Sequence, residues 1–224
     1  MFERGKISWI FFDVGDTLVD EAAPYESIID QFVHYANERG YSIDKASVYA
    51  GIQEGFEALH PSPMKLFMET QITSDEDLVY IRKSMKYEKH LERPFAEAVA
   101  VLAKLAERYQ IGIIANQSAG TAARLEQYGL LPHISVVCSS AEVGVSKPDL
   151  KFFQMALDEA GCSPEQAIMV GDRIDNDILP AHALGMGTIW VRQGLARKQP
   201  VPWAGVSPDV IVEHLAEIGP ILLD

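Results

Sequence analysis

Cysteine, long apolar stretches and positive charge are all scarce in this 224-residue sequence. Its two cysteines, Cys138 and Cys162, stand alone without metal-type or redox-type spacing, which argues against a disulfide framework or a structural zinc site. No apolar run approaches the roughly 20 residues that a membrane-spanning helix needs. The N-terminal "MFERGKISWIFFD" has too short an apolar run for a signal peptide. These absences predict a reduced, cytoplasmic protein with no membrane partner.

Basic residues are outnumbered by acidic ones. The chain has 19 Lys and Arg against 32 Asp and Glu, and its formal net charge is −13. Such a protein repels nucleic-acid backbones and anionic membranes, so we expect no nucleic-acid partner. An anionic substrate would need local neutralisation by a divalent cation and one or two basic side chains. The length suits one domain with a sizeable insertion or two small domains, and we expect a monomer or homodimer.

Short, nearly continuous apolar runs predict the strands of a parallel sheet that is covered on both faces. Helical patterns lie between these runs. The alternation of strand and helix from residue 94 onward predicts a doubly wound α/β fold, in which active sites lie beyond the carboxyl ends of the strands. The five predicted strands are residues 7–12, 111–115, 134–138, 167–170 and 188–191.

Glycine and proline mark the predicted ends of helices in this region. Gly129, Gly161 and Gly185 stand where a residue in the left-handed conformation is expected to close a helix. Another helix is predicted to begin at Pro94, because a missing N–H suits the first turn. The apolar stripe of that helix is predicted to comprise Phe95, Val99, Leu102 and Ala106.

Residues 20–92 interrupt the alternation of strand and helix. Apolar residues recur there at helical spacing in "YESIIDQFVHYANERG", "VYAGIQEGFEAL" and "DLVYIRKSMKYEKHL". The stretch "HPSPM" at 60–64 is expected to divide the segment into two helical halves. The sequence therefore predicts a core formed by 1–19 and 93–224, with a small helical domain inserted at 20–92.

Polar side chains follow several of the predicted strands, and parallel strands would bring them to one edge of the sheet. Asp13 and Asp172, with oxygen-rich neighbours, would form a site for a hard cation, of which Mg²⁺ is the natural occupant. Lys147 would add a positive charge for a phosphoryl group, and an ionised Asp13 could attack phosphorus and form an aspartyl-phosphate. The full set of candidates is Asp13, Asn116, Lys147, Asp172, Asp175 and Asp177.

These stretches resemble the four motifs of the haloacid dehalogenase superfamily of aspartate-nucleophile hydrolases. "FFDVGDTLVD" looks like the first motif, "IIANQS" the second, "VGVSKPDLKFF" the third and "IMVGDRIDNDI" the fourth, and the resemblance covers nearly the whole chain. The insert at 20–92 stands where the family carries its α-helical cap. The resemblance implies a Rossmann-like core, a cap domain, dependence on Mg²⁺ and, most commonly, hydrolysis of a phosphoester.

The resemblance also implies a role for each motif residue at the metal. Asp13 would be both the nucleophile and a Mg²⁺ ligand. The backbone carbonyl of Gly15 would be a second ligand, and Asp172 would be the acidic ligand of the fourth motif. Asp177 would act beside them, directly or through a water molecule.

For the phosphate, the resemblance implies that Lys147 pairs with both the nucleophile and the substrate, with Asn116 as a further phosphate-binding residue. Two positions depart from the family pattern. Family phosphatases usually carry an Asp two residues after the nucleophile as general acid and base, and here that residue is Gly15. Their second motif usually ends in Ser or Thr, and here that residue is Ala115. Asp16 is expected to point away from the nucleophile in an extended chain.

Three functions remain open on these residues. The first is a Mg²⁺-dependent phosphatase of a small phosphorylated molecule, slowed because losing a general acid–base typically costs roughly 10²–10⁴-fold in rate. The second is a non-catalytic ligand-binding or regulatory protein, which the losses at Gly15 and Ala115 would favour. The third is a dehalogenase that needs no metal, but the carboxylates of "GDRIDND" would then lack compensation. We expect the phosphatase.

Overall fold

The computed structural model describes residues 2–223 and divides the chain into two compact units. The larger unit comprises Met1–Asp20 with Arg93–Asp224, and the other comprises Glu21–Glu92. Val19–Asp20 pairs antiparallel with Arg93–Pro94 at the point where the chain leaves the larger unit and returns to it. The two ends of the inserted segment therefore start from neighbouring positions.

A parallel sheet forms the centre of the larger unit. The strands are β1 Trp9–Phe12, β2 Val19–Asp20, β3 Arg93–Pro94, β4 Gln110–Ala115, β5 Val136–Ser139, β6 Ala167–Gly171, β7 Gly187–Val191 and β8 Val210–Val212. Within residues 2–223, six of them form this sheet in the order β5–β4–β1–β6–β7–β8, with every neighbouring pair parallel. The sheet grows outward from β1 in both directions, which confirms the predicted doubly wound α/β fold.

The inserted unit is built from helices α1 Ala22–Glu38, α2 Lys45–Glu57, α3 Pro63–Gln71 and α4 Asp75–Ser84. "HPSPM" was expected only to divide this segment, but Pro63 opens α3 at a first-turn position that needs no N–H. Helices α2 and α3 pack closely, since a Cβ on Gly51 would lie 2.1 Å from the ring of Phe67. Phe32 of α1 meets the same ring edge-on, so the unit has a hydrophobic core of its own.

Further helices cover both faces of the sheet: α5 Ala98–Leu105, α6 Thr121–Gln127, α7 Ser140–Val143, α8 Leu150–Ala160, α9 Leu179–Leu184 and α10 Ile218–Leu223. Ile10 and Phe12 of β1 belong to the cluster that includes α5 and α10, whereas Phe11 belongs to the cluster that includes α8. Burial on both faces explains the nearly continuous apolar runs. None of the helices formed by residues 2–223 is long and apolar enough to cross a bilayer.

The helix predicted to begin at Pro94 was placed too early. Pro94 instead pairs with Val19 in the short antiparallel ladder, and α5 begins at Ala98. Its apolar stripe was also partly wrong, because Val99 is 39% exposed. The buried face of α5 comprises Ala98, Val101, Leu102 and Leu105.

The glycines predicted to close helices do so. Gly129, Gly161 and Gly185 have φ angles of 73°, 65° and 89°, in the left-handed region that glycine tolerates without a steric penalty. Gly161 and Gly185 directly follow the last residues of α8 and α9.

Candidate functional site

Charged side chains converge at the carboxyl ends of β1 and β6. Asp13 follows β1 directly and Asp172 follows β6, while Asp177 lies in the one-turn π-helix Ile174–Ile178. Carboxylate oxygens of these three residues lie within 4.8 Å of one another. Lys147, in the loop before α8, reaches the same place. The parallel sheet thus brings together four of the candidate residues that were predicted from the sequence.

Lys147 is the buried cation of this cluster. Its Nζ lies 2.8 Å from Asp13 Oδ1 and 2.6 Å from Asp177 Oδ1, and its side chain is 1% exposed. Burial by itself lowers the pKa of Lys147, but the negative charges of Asp13 and Asp177 outweigh it and leave the pKa above its usual value. The ammonium group therefore stays charged and is shared between two carboxylates.

The carboxylates outnumber the positive charge close to them. Burial, followed by the charges of Asp177 and Asp13, raises the pKa of Asp172 well above its usual value. Burial also raises the pKa of Asp177, to about 6, although Lys147 opposes this shift. One lysine cannot neutralise three carboxylates, and a divalent cation among them would lower both pKa values.

The donor set fits a hard cation. Asp172 is buried, and its backbone carbonyl accepts a hydrogen bond from Trp190 Nε1 at 2.6 Å. Its carboxylate lies close to those of Asp13 and Asp177, and a buried charge is costly unless an opposite charge pairs with it. Oxygen atoms at such a spacing are the ligands that Mg²⁺ and Ca²⁺ prefer.

The position of Asp177 requires a glycine at residue 171, in the sequence "VGD". The carboxylate of Asp177 folds back over β6, where its Oδ2 accepts a hydrogen bond from the Arg173 N–H at 3.0 Å. A Cβ on Gly171 would lie 2.3 Å from Asp177 Cγ, closer than real carbon atoms approach. Gly171 therefore provides the space in which Asp177 reaches Lys147.

Gly171→Ala is accordingly expected to displace Asp177 from Lys147 and to destabilise the protein by about 1–3 kcal/mol, the usual cost of overpacking. Denaturant unfolding should report the change. Gly219→Ala is the matched control, since a Cβ there meets nothing within 4 Å. A Gly171→Ala protein as stable as the Gly219→Ala protein would contradict this packing.

Asn116 uses its side chain to hold the loop that carries Lys147. Its Oδ1 accepts a hydrogen bond from the Lys147 N–H at 2.8 Å, and its Nδ2 donates to the Lys147 carbonyl at 3.0 Å. We expected a phosphate-binding residue here, and that role stays a prediction. What the geometry gives Asn116 is the positioning of Lys147. Ala115, the last residue of β4, is fully buried and offers no side-chain hydrogen bond.

In the turn after Asp13, the residue with a left-handed backbone conformation is Asp16, with φ 48°, and not Gly15. Gly15 forms an isolated β-bridge with Val19, and its role as a carbonyl ligand stays a prediction. Asp16 is 8% exposed, and a Cβ on Gly194 would lie 2.2 Å from its Oδ2, so its carboxylate packs against the Gly194 backbone. Its charge contributes to raising the pKa of Asp172.

Two buried polar side chains near the site were not anticipated from the sequence. Trp190 holds the Asp172 backbone, as described above, and Gln199 donates to Asp175 Oδ1 at 2.7 Å. Neither residue lies in a recognisable motif. The position of Trp190 at the end of an apolar strand predicts core packing, and nothing local predicts the partner of Gln199.

Comparison with known proteins links the chain to one family. Residues 7–185 match the haloacid dehalogenase-like hydrolase family. A glyceraldehyde 3-phosphate phosphatase from Methanothermobacter thermautotrophicus is 27% identical over 221 residues, which span 93% of this chain and 98% of that protein. A phosphoserine phosphatase from Thermus thermophilus is 42% identical over 90 residues, but these cover 40% of this chain and only 34% of that protein.

Solved structures share the architecture. The HAD hydrolase YfnB of Bacillus subtilis, described as bound to magnesium and as showing interdomain movement, superimposes with a TM-score of 0.71. The match covers 96% of this chain and 98% of that one, at 19% identity. At such low identity, the superposition supports a common fold alone.

Proposed function

Because the chain belongs to the haloacid dehalogenase-like hydrolase family, we propose that it is a Mg²⁺-dependent phosphatase of a small phosphorylated metabolite. One observation carries the proposal: Lys147 bridges Asp13 and Asp177 beside the buried carboxylate of Asp172. This arrangement offers a nucleophile, a fixed positive charge and oxygen ligands at one edge of the sheet. The similarity to a glyceraldehyde 3-phosphate phosphatase along nearly the whole chain supports a small phosphorylated substrate.

Asp13 would supply the nucleophile. One of its carboxylate oxygens would form a bond to phosphorus while the bond from phosphorus to the leaving oxygen breaks, giving an aspartyl-phosphate. Water would then attack phosphorus, release inorganic phosphate and restore the carboxylate. Lys147 would orient Asp13 and balance the charge of the phosphoryl oxygens.

Asp13, Asp172 and the Gly15 carbonyl would hold Mg²⁺, with Asp177 beside them. The ion would supply positive charge to the phosphoryl oxygens during transfer. Asp177 would also keep Lys147 in place, since the two groups lie 2.6 Å apart within the protein interior.

Protonation of the leaving group is the weak point of this site. Gly15 has no side chain, Ala115 has no hydroxyl, and the Asp16 carboxylate is packed against Gly194. A leaving oxygen would therefore depart with its own charge or take a proton from water. Acyl and aryl phosphates tolerate this best, because their leaving groups are weaker bases.

The helical unit Glu21–Glu92 would act as the cap domain that distinguishes substrates. Its place in the chain, between the first and second motifs, supports this role. A second function deserves a test because of Gly15 and Ala115: a ligand-binding or regulatory protein that keeps the fold and the cation site without turnover. The acidic cluster disfavours a metal-free dehalogenase.

Calorimetric titration with Mg²⁺, combined with p-nitrophenyl phosphate hydrolysis with and without Mg²⁺, tests the proposal. We expect the wild type to bind the ion and to hydrolyse the ester only in its presence. Asp172→Asn should lose both properties. The control Asp158→Asn changes an exposed residue of α8, removes an equal charge away from the site and should keep both. Equal Mg²⁺ binding by Asp172→Asn would refute the site, and binding without hydrolysis of any phosphate ester would favour the non-catalytic function.

A further inference from the structure

The segment that follows β7 touches both acidic turns of the site. On one side, the Gly194 backbone lies against the carboxylate of Asp16 in the turn after β1. On the other side, Gln199 bonds to Ile174 and Asp175 in the turn after β6. The segment 192–199 therefore spans the two turns whose carboxylates must keep a fixed spacing around a cation.

Both ends of the Gln199 side-chain amide bond to the second of these turns. Gln199 directly follows the one-turn 3₁₀-helix Leu195–Lys198 and is only 3% exposed. The Oε1 atom accepts a hydrogen bond from the Ile174 N–H at 2.7 Å, and Nε2 donates to Asp175 Oδ1 at 2.7 Å. Ile174 opens the π-helix, so its N–H has no acceptor within that helix, and Gln199 supplies one from another segment.

Asp175 in turn binds a residue of its own turn, Arg173. Its Oδ1 also accepts a hydrogen bond from Arg173 Nε at 3.1 Å, and its Oδ2 pairs with the same guanidinium. Arg173 stands between Asp172 and Ile174 in the chain, so fixing Arg173 and Ile174 fixes the backbone on the C-terminal side of Asp172. The amide of Gln199 thus acts on Asp172 and Asp177 through the turn that carries both.

Gly194 shows that the fit on the other side is equally close. Its φ and ψ are 59° and −157°, a combination that is essentially restricted to glycine. Any side chain there would also collide with Asp16, as the 2.2 Å approach of a Cβ to Oδ2 indicates. Such contacts leave little freedom for the segment to shift between the two turns.

Electrostatic repulsion explains why the two acidic turns need contacts from the segment 192–199. Asp13, Asp16, Asp172 and Asp177 are close enough to influence one another, and the charges of the other three each raise the pKa of Asp172. Like charges at such distances push their turns apart, and hydrogen bonds from a separate segment resist that movement. A cation bound at this spacing then meets ligands that are already in place.

We propose that Gln199 is a positioning residue for the cation site: its two amide hydrogen bonds hold the turn 172–178 so that Asp172 and Asp177 keep their spacing to Asp13. The inference rests on the Mg²⁺ site proposed above. It predicts an effect on metal affinity that is separable from any effect on folding.

Mg²⁺ titration of Gln199→Leu tests the inference without any substrate. Leucine has a similar volume but neither hydrogen bond, and we expect the Kd for Mg²⁺ to rise by roughly 10–100-fold, as is typical when a partner of a ligand turn is removed. Saturating Mg²⁺ should restore most of kcat for p-nitrophenyl phosphate, because Gln199 does not touch the reacting atoms. Gln199→Glu, which can still accept from Ile174 but repels Asp175, should also raise the Kd.

Gln193→Leu is the matched control. Gln193 lies in the same segment, but its Oε1 accepts a hydrogen bond from the Leu215 N–H, away from both acidic turns. Its Mg²⁺ affinity should equal that of the wild type. Suppose that the wild type binds Mg²⁺ and that both Gln199 variants fold and have a Kd within twofold of the wild-type value. Gln199 then has only a structural role, and this inference fails while the proposed metal site stands. A wild type that does not bind Mg²⁺ refutes the proposed metal site and this inference with it.

Discussion

Asp13→Asn is expected to abolish hydrolysis of every phosphate ester while the protein stays folded. The amide lacks the negatively charged oxygen that would attack phosphorus, and removal of an enzyme's nucleophile typically costs roughly 10⁶-fold in kcat. The fold should survive because Lys147 keeps a buried carboxylate partner in Asp177, at 2.6 Å. Removing both partners would leave an unpaired buried charge, which is far more damaging.

Rates on p-nitrophenyl phosphate, together with thermal melting, separate the two effects. Asp158→Asn is again the charge-matched control. Residual activity within tenfold of the wild type, in a preparation free of contaminating phosphatase, would show that Asp13 is not the nucleophile. The aspartyl-phosphate route would then be wrong, whatever the metal dependence.

Gly15→Asp is expected to accelerate hydrolysis, by roughly 10²–10⁴-fold if the new carboxylate acts fully as acid and base. The backbone does not oppose the change, because the left-handed conformation in this turn belongs to Asp16 and not to Gly15. The gain should be larger on alkyl phosphates than on aryl phosphates, since an alkoxide needs protonation more than a phenolate does. Paired rates on a sugar phosphate and on p-nitrophenyl phosphate measure this difference.

Gly15→Asn is the control for shape, because it adds nearly the same side chain without an acid or base. Mg²⁺ affinity must be measured for both variants, since one more carboxylate adds charge to an already acidic cluster. If Gly15→Asp folds, binds Mg²⁺ and is no faster than Gly15→Asn on any ester, the missing carboxylate does not limit the site. The ligand-binding function would then gain over the phosphatase.

The sheet was predictable because its signal is local. Strands covered on both faces must be apolar at almost every position, and the runs around Phe12 and Val170 show this directly. β8 escaped prediction because it is only three residues long and its middle residue, Ile211, is 43% exposed. The misplaced start at Pro94 has a different origin. First-turn propensity is local, whereas pairing with Val19 depends on a residue far away in the sequence.

The convergence of the candidate residues was predictable, but the contacts between them were not. Strand ends place Asp13 and Asp172 at one edge of the sheet, which topology alone requires. That Asn116 bonds to the Lys147 backbone depends on how two loops meet, and no spacing in the sequence encodes it. Asp16 was expected to point away from Asp13 on the premise of an extended chain. That premise is wrong, because Asp16 has a left-handed backbone conformation and packs against Gly194, and the direction of its side chain relative to Asp13 stays a prediction.

The antiparallel pairing of β2 with β3 makes the helical unit an exchangeable module. Because Val19 lies opposite Pro94, the sheet-bearing unit holds both ends of the insert together regardless of what is inserted. Doubling the length of a flexible connection would add only about 0.6 kcal/mol of closure entropy. We therefore expect an insert with its own core, as Glu21–Glu92 has, to tolerate changes of length with little effect on the stability of the sheet.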